Sequence, residues 1–294
     1  MKREKVRGRT MKIQQIGVIG AGTMGTDISV DLLLHGKKVV LVDVTEEKLQ
    51  TATNEIIKIL RFARLIDTGF TPFTADKVQT NLETTMDLNR LASCDFIIEN
   101  IYEDVDRKKE LYQSMEEILD PCIPIGANTS CISITLLGSF TRRPDTIIGM
   151  HWMNPVYKKR AVEVIQGYHT SPICLNQAQE LLQSLGKKGI VVNDYPGFVS
   201  NRISHLFMNE AAFTVQDQVA TPEQVDEIFT TCFGHQMGPL KTADLIGLDT
   251  VVASLQVLYD SYQDSKFRCC PLLKKMVHAG KLGVKTKEGF YKYT

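Results

Sequence analysis

The sequence lacks the features that would assign it at once to a special class of protein. Its seven cysteines form no CxxC pair, so neither a zinc site nor a disulfide framework is indicated. No stretch approaches the roughly 18 consecutive apolar residues of a membrane-spanning helix. Lys and Arg together number 34, as do Asp and Glu, so the formal net charge is +0 and no overall field favours nucleic acid. We therefore expect no metal, no nucleic acid and no membrane among its ligands.

The amino-terminal end is basic but does not have the form of a signal peptide. Residues 1–10 read MKREKVRGRT, and the apolar stretch that follows is interrupted by Gln14 and Gln15. We predict a loose arm over residues 1–10 and a fold that opens at Met11. Cysteines without a pairing pattern fit a reducing compartment, which favours a cytoplasmic location.

The length of 294 residues, about twice that of a common single domain, predicts two domains. Apolar runs at 16–20, 38–43, 95–100, 124–129, 146–151 and 188–194 alternate with segments of helical character. That alternation is typical of an α/β fold with a mostly parallel sheet. The interval 46–93 is expected to hold an extended helix or a helical hairpin. After Asp194 the apolar spacing becomes helical, so an all-helical domain is predicted over 195–294.

A glycine-rich turn joins the first predicted strand to the first predicted helix. It reads Gly20-Ala21-Gly22-Thr23-Met24-Gly25, the GxGxxG pattern that lets a backbone approach a pyrophosphate at a helix amino terminus. Asp43 ends the next strand eighteen residues after Gly25, where a carboxylate can bind the ribose hydroxyls. The alternative, a glycine turn beside a solvated aspartate, explains the spacing less well. We predict a Rossmann-like domain over 11–194 that binds NAD, in preference to NADP or FAD.

A histidine and a glutamate suggest acid–base chemistry in the same domain. His151 ends the predicted strand 146–151, where the carboxyl ends of strands face a ligand crevice, and Glu163 follows twelve residues later in an apolar stretch. An imidazole held by a carboxylate can act as a general base. Ser130 and Asn154 add neutral hydrogen-bonding groups in neighbouring loops, although either could instead cap a turn.

The sequence resembles the 3-hydroxyacyl-CoA dehydrogenase family, including its 3-hydroxybutyryl-CoA members. The resemblance covers nearly all of residues 12–294 and is carried by a series of motifs in a specific order. They are GVIGAGTMG at 17–25, NTS at 128–130, GMHWMNPV at 149–156, VEVI at 162–165, PGFVSNR at 196–202, MGPL at 237–240, GLDT at 247–250 and KEGFYKY at 287–293.

The resemblance implies roles for individual residues. It makes His151 the catalytic base and Glu163 its orienting partner, and it places Ser130 and Asn201 at the substrate oxygen. Ser130 also belongs to the implied cofactor site, with the residues Gly20, Gly22, Thr23, Met24, Gly25, Asp43, Glu103, Lys108, Asn154 and Lys275. The family fold further implies a Rossmann-like domain followed by a helical domain through which two chains form a homodimer.

Several residues depart from the family pattern on the side of the acyl group. Family members usually read HFFNP, a second proline and an apolar residue, then a lysine before the VE pair, whereas this chain reads HWMNPVYKKR over 151–160. Asn100 replaces a small residue, and Cys131 replaces a serine. On this alignment the changes crowd and polarise the acyl side of the cleft, which disfavours a plain fatty acyl chain as the substrate.

Three alternatives to a CoA-dependent 3-hydroxyacyl dehydrogenase stay open at this stage. The first is the same reaction on a short polar acyl group bound to an acyl carrier protein. The second is a 3-hydroxyacid dehydrogenase that uses a catalytic lysine, which would leave His151 without a role. The third is a structural protein that binds NAD without catalysis.

Overall fold

The computed structural model describes residues 13–66, 78 and 80–294, and the predicted arm at 1–10 lies outside these residues. The chain forms two compact units, the first ending at Asp194 and the second covering Tyr195–Thr294. Among the described residues, no helix is long and apolar enough to cross a membrane.

An eight-stranded sheet forms the centre of the first unit. Its order is β3-β2-β1-β4-β5-β6-β7-β8, and every neighbouring pair is parallel except β6 and β7. The strands are β1 (Gln15–Ile19), β2 (Lys38–Val42), β3 (Leu82–Thr85), β4 (Phe96–Glu99), β5 (Ile125–Ala127), β6 (Ile147–His151), β7 (Ala161–Gln166) and β8 (Lys188–Asn193). The chain reverses its direction of travel across the sheet at β1, and the crevice beside the carboxyl ends of β1 and β4 is the expected ligand position of such a fold. The predicted mostly parallel α/β architecture is confirmed.

Helices of the first unit alternate with these strands. They are α1 (Thr23–Leu34), α2 (Glu46–Ile66), α3 (Val105–Ile118), α4 (Ile134–Gly138) and α5 (Pro172–Ser184). Gly36 and Gly186 follow the ends of α1 and α5 with φ of +73° and +63°, a conformation that glycine adopts without steric cost and that stops a helix.

Two strands were not predicted from the sequence. β3 lies in the interval 46–93, for which an extended helix or a helical hairpin is predicted and of which residues 67–77 and 79 are outside the described part of the chain. Its LETT sequence is short and half-buried at the edge of the sheet, so it gives no apolar signal. β7 was interpreted only as an apolar stretch, because a glutamate interrupts its pattern at position 163.

Apolar side chains from both kinds of element form the core of the first unit. Ile16 and Val18 of β1, Leu41 of β2, Ile28 of α1 and Leu181 of α5 are among its fully buried members. Each fully buried residue of this size stabilises the fold by about 1.5–3 kcal/mol. This core fixes the strand ends from which the candidate site is built.

The second unit is helical, as predicted. Its helices are α6 (Ser200–Gln216), α7 (Pro222–Thr231), α8 (Pro239–Ile246), α9 (Leu248–Tyr262) and α10 (Pro271–His278). Helix α7 begins with a capping box, in which Thr221 accepts from the Gln224 amide and the Gln224 side chain accepts from the Thr221 amide. The unit has its own core, which includes Met208, Leu240 and Leu255.

Candidate active site

The glycine-rich turn has the geometry of a dinucleotide-binding loop. Gly20 has a φ of +100°, and a Cβ there would lie 2.7 Å from the Asn100 carbonyl oxygen. A Cβ on Gly25 would collide with the Gly20 carbonyl oxygen, so glycine is required for close packing of helix and strand. A Cβ on Gly22 would meet nothing within 4 Å, which leaves open space beside the loop.

The amino terminus of α1 faces this open space without a side-chain cap. Gly22 is the N-cap residue, and no side chain accepts from the first amides of the helix. Thr23 is exposed and Met24 is half-buried at the same end. Uncapped amides and the positive end of the helix dipole favour an anion such as a pyrophosphate.

Asp43 lies at the end of β2 and supports the glycine-rich turn directly. One carboxylate oxygen accepts from the Ala21 amide at 2.7 Å, and the other accepts from the Val44 amide at 2.7 Å. Lys48 places its ammonium 3.5 Å from the Asp43 carboxylate. Asp43 therefore orders the loop, while Lys48 is an additional cation at the same place that sequence reasoning missed. The sequence does contain a sign of this contact, because Lys48 lies in the first turn of α2 and Asp43 lies just before that helix begins.

The antiparallel pairing of β6 and β7 brings the predicted histidine and glutamate together. His151 and Glu163 are opposite each other in the strand register, and Glu163 Oε2 lies 3.0 Å from His151 Nδ1. His151 is 6% exposed, so this contact is largely shielded from water. The second ring nitrogen, Nε2, lies 3.2 Å from Ser130 Oγ. If Nδ1 carries the proton and donates it to the carboxylate, Nε2 is left as an acceptor on the side of Ser130.

Glu103 holds the loop that carries Ser130. Its Oε1 atom accepts from the Ser130 amide at 2.9 Å, from the Cys131 amide at 3.0 Å and from the Thr129 hydroxyl. Because Glu103 is itself exposed, its second carboxylate oxygen is available to a ligand. The position of Glu103 at the cofactor site remains a prediction. Its hydrogen bonds to the loop that carries Ser130 are an additional role that the sequence did not indicate.

Lys108 is placed differently from the expectation. The residue is 0% exposed, and its ammonium donates to both oxygens of Glu99, at 2.6 and 2.8 Å. Glu99 also accepts from the Ile101 amide at 2.8 Å, and burial raises the pKa of its carboxyl group against the opposing effect of Lys108. Since a fully enclosed ammonium is not accessible to a ligand, the predicted direct contact between Lys108 and the cofactor is not supported. Lys108 instead stabilises the buried carboxylate of Glu99, the residue that precedes the segment 100–103.

A chain of amide hydrogen bonds crosses the carboxyl ends of three strands. Asn128 donates to Asn100 Oδ1 at 2.9 Å and accepts from the Trp152 amide at 3.2 Å. Asn100, noted as a departure from the family pattern, thus helps to fix the backbone next to His151. Asn154 is exposed in the segment beyond Trp152, so its side chain is accessible to a ligand, as its predicted role requires.

Two predicted site residues belong to the second unit. Asn201 is in the first turn of α6 and is half-buried, and its carbonyl oxygen lies 3.0 Å from His205 Nδ1. Lys275 is exposed in the last turn of α10. The roles of both residues stay predictions. Across the described residues of both units, no group of three or more His, Cys, Asp or Glu side chains could hold a metal ion.

Comparison with known proteins decides the family. The family model of the NAD-binding domain of 3-hydroxyacyl-CoA dehydrogenase matches residues 15–195, and that of the C-terminal domain matches residues 197–293. The chain belongs to the 3-hydroxyacyl-CoA dehydrogenase family. The resemblance inferred from the motifs is therefore confirmed, and the protein is an NAD-dependent dehydrogenase of this family.

Individual relatives are similar over almost the whole chain. A probable 3-hydroxybutyryl-CoA dehydrogenase of Deinococcus radiodurans is 42% identical over 279 residues, which cover 95% of this chain and 100% of the relative. A 3-hydroxybutyryl-CoA dehydrogenase of Bradyrhizobium diazoefficiens is 39% identical, with 96% of each chain covered. The crystal structure of (S)-3-hydroxybutyryl-CoA dehydrogenase from Ralstonia eutropha matches with a TM-score of 0.89 at 38% identity and covers 96% of this chain and 99% of that one.

The first unit of this dehydrogenase has the features that NAD requires. The open space at Gly22 and the uncapped amides of α1 fit the pyrophosphate, and Asp43 is at the strand end where a ribose would lie. Lys48 balances the charge of Asp43 without displacing it from the loop. The backbone of the turn and the Asp43 carboxylate are therefore the features of this unit that fit a dinucleotide.

Buried charges behind the candidate site were also missed from the sequence. Asp31 on α1 is 1% exposed, and its Oδ2 lies 3.2 Å from the ammonium of Lys187. Lys187 also donates to the carbonyl oxygens of Val156 at 2.8 Å and Lys159 at 2.6 Å. The signal was present, since an aspartate in the apolar run ISVDLLL requires a partner when that helix is buried.

Proposed function

We propose that this dehydrogenase interconverts 3-hydroxyacyl and 3-ketoacyl thioesters, with His151 as the general acid–base and Glu163 as its charge partner. The observation that carries the proposal is the alignment of Glu163, His151 and Ser130, in which Glu163 lies against one imidazole nitrogen and Ser130 against the other. A neutral imidazole in that arrangement can take a proton at Nε2 while Nδ1 stays bonded to the carboxylate.

In the oxidative direction the substrate loses a proton from its 3-hydroxyl group and a hydride from C3. The hydroxyl proton would pass to His151 Nε2, and NAD bound at the glycine-rich turn would supply the acceptor for the hydride from C3, so that the C–O single bond would become a carbonyl. Glu163 stabilises the imidazolium that forms, because its carboxylate is held against Nδ1 in a site with little water. Such proton transfer contributes about 10²–10⁴-fold to the rate. In the reductive direction the imidazolium returns the proton to the forming alkoxide.

Ser130 and Asn201 are proposed to hold the reacting oxygen. Ser130 Oγ is near the nitrogen that accepts the proton, so a substrate oxygen bonded to this hydroxyl would also reach Nε2. Its loop is fixed by three hydrogen bonds to Glu103, which limits the movement of the hydroxyl. Positioning of this kind keeps C3 within about 3–3.5 Å of the hydride acceptor.

The carrier of the acyl group is proposed to be CoA or an acyl carrier protein. CoA is supported by the relatives, which are named 3-hydroxybutyryl-CoA dehydrogenases. A carrier protein is favoured by the exposed side chains of Lys158 and Lys159, which lie in the segment where this chain departs from the family pattern. The reaction at C3 is the same for both carriers.

Consumption of NADH with acetoacetyl-CoA tests the function. We expect turnover by the wild-type protein and a loss of about 100-fold or more in kcat for His151→Gln, with NADH affinity nearly unchanged. A wild-type protein that binds NADH but reduces neither acetoacetyl-CoA nor a carrier-bound ketoacyl group would support an NAD-binding structural protein. Undiminished turnover by His151→Gln would point instead to a dehydrogenase with a catalytic lysine.

A further inference from the structure

Four exposed cations lie together beyond the end of β6. They are Lys158, Lys159 and Arg160, which precede β7, and Lys188, which begins β8; we call them the basic edge. The Lys188 amide donates to the Arg160 carbonyl oxygen at 2.8 Å, so the two segments are directly adjacent. Within the described part of the chain, none of the four side chains has an ion-pair partner.

The strand directions place the basic edge at the same side of the sheet as the candidate catalytic pair. His151 is the last residue of β6, and β7 runs antiparallel to it, so the beginning of β7 lies at the carboxyl end of β6. β8 is parallel to β7, and its first residue, Lys188, is paired with Ala161. Ala161 is two residues from Glu163 along β7, a rise of about 7 Å. The cations therefore lie beside the site in which the thioester would react.

The backbone that presents these cations is fixed by buried charges. The Lys187 ammonium donates to the carbonyl oxygens of Val156 and Lys159, and it is paired with Asp31 of α1 at 3.2 Å. The side chain of Asp27, on the same helix, accepts from the Val156 amide at 3.3 Å. The segment 156–159 is thus tied to the dinucleotide-binding helix, and its exposed cations lie on ordered backbone. Ordered cations lose less conformational entropy when they bind an anionic surface than cations on a mobile tail.

We propose that the basic edge is the docking surface for the acidic face of an acyl carrier protein that delivers the substrate thioester. This proposal rests on the proposed function and adds the partner. A protein whose formal net charge is +0 has no general attraction for anions, so a concentration of unpaired cations next to one site favours a local partner. Complementary charges at the rim of an interface accelerate encounter and fix the orientation of the partners. Here they would place the entering thioester beside His151.

The test compares three carriers of one acyl group. An acetoacetyl group is presented on an acidic acyl carrier protein, on CoA and on N-acetylcysteamine, which has no phosphate and no protein surface. The variant is Arg160→Glu/Lys188→Glu, which reverses two adjacent charges outside the catalytic machinery. The matched control, Lys38→Glu/Lys109→Glu, makes the same charge change at two other exposed lysines. Lys38 begins β2 and pairs with Gln15 at the start of β1, so it lies at the amino ends of the parallel strands, whereas the basic edge lies at the carboxyl end of β6.

We expect the wild-type KM to be lowest for the carrier-bound substrate. The basic-edge variant should raise the KM for that substrate about tenfold or more at low ionic strength, and added salt should reduce the difference. Its kinetics with CoA and N-acetylcysteamine thioesters should remain close to wild type, which also shows that the variant is folded. The control variant should leave all three KM values nearly unchanged.

Three results would overturn the docking proposal while the proposed function stands. One is a wild-type KM for the carrier-bound substrate no lower than that for the N-acetylcysteamine thioester. Another is an unchanged KM for the carrier-bound substrate in the basic-edge variant. The third is an equal rise in KM for the CoA and the carrier-protein substrates in the basic-edge variant. That result would show that these cations bind the phosphates of both carriers and not the surface of a carrier protein. Absence of turnover with all three thioesters would instead reject the proposed function.

Discussion

At the scale of single residues, we propose that Asp43 and Lys48 together determine which cofactor the dinucleotide site accepts. The Asp43 carboxylate accepts from the Ala21 amide and is accompanied by the Lys48 ammonium at 3.5 Å. The ionised carboxylate repels a 2′-phosphate, whereas the nearby ammonium would attract one. We therefore expect the preference for NAD over NADP to depend on the balance of these two opposite charges.

Replacement of Asp43 should shift that balance. Asp43→Asn keeps an oxygen for the Ala21 amide but removes the negative charge, so we expect the ratio of kcat/KM for NADH over NADPH to fall about tenfold or more, equivalent to about 1.4 kcal/mol. Asp43→Asn/Lys48→Met, which also lacks the ammonium, should lose NADH affinity without gaining activity with NADPH. Steady-state kinetics with both cofactors measure the two ratios. An unchanged ratio in the single variant would show that Asp43 does not determine the cofactor preference.

At the scale of elements, the ion pair of Asp31 and Lys187 links α1 to the segment that follows the candidate active site. Burial, together with a smaller effect of Asp27, raises the pKa of Asp31 to about 6 against the opposing effects of Lys187 and His35. Burial likewise raises the pKa of Asp27. Asp31 is thus held in an environment that favours its neutral form more than water does.

This shift predicts how stability depends on pH. Because the folded pKa of Asp31 is above its unfolded value of 3.8, its contribution to stability is fully present below about pH 4 and is lost as pH rises through about 6. Asp31→Asn removes the titration, so the variant should lose less stability than wild type between pH 4.5 and pH 7. Thermal melting at both pH values measures the difference. An equal loss in both proteins would show that Asp31 does not titrate in this range.

Some of the strands and their contacts could not be predicted from the sequence. The glycine-rich turn and the strands of 16–20 and 38–43 give strong local signals, because backbone approach and burial on both faces restrict the residues allowed. The hydrogen bonds by which Asn128 joins Asn100 to Trp152 give no local sequence signal, because they depend on which strands are neighbours in the sheet. Pairing of Glu163 with His151 was predicted from chemistry, but the antiparallel strand that produces it was not.

At the scale of the whole molecule, we propose assembly into a homodimer through the helical unit. Several large apolar side chains on that unit are exposed, including Ile203 at 63%, Phe233 at 67% and Leu245 at 60%. Exposed apolar residues in such number are typical of an interaction surface, and identical subunits associate most often about a two-fold axis. Light scattering at micromolar concentration should give about twice the 33.0 kDa chain mass. A mass of one chain would contradict the dimer.

The central claim is that His151 and Glu163 act as one catalytic unit, and single-turnover hydride transfer in a double-mutant cycle tests it most directly. Because the value of the carboxylate lies in its contact with the imidazole, His151→Gln and Glu163→Gln should each slow the step strongly. Their combination should be little slower than the slower single variant, with NADH binding retained throughout. Losses that multiply in the double variant would contradict the claim and leave Glu163 a structural residue of β7.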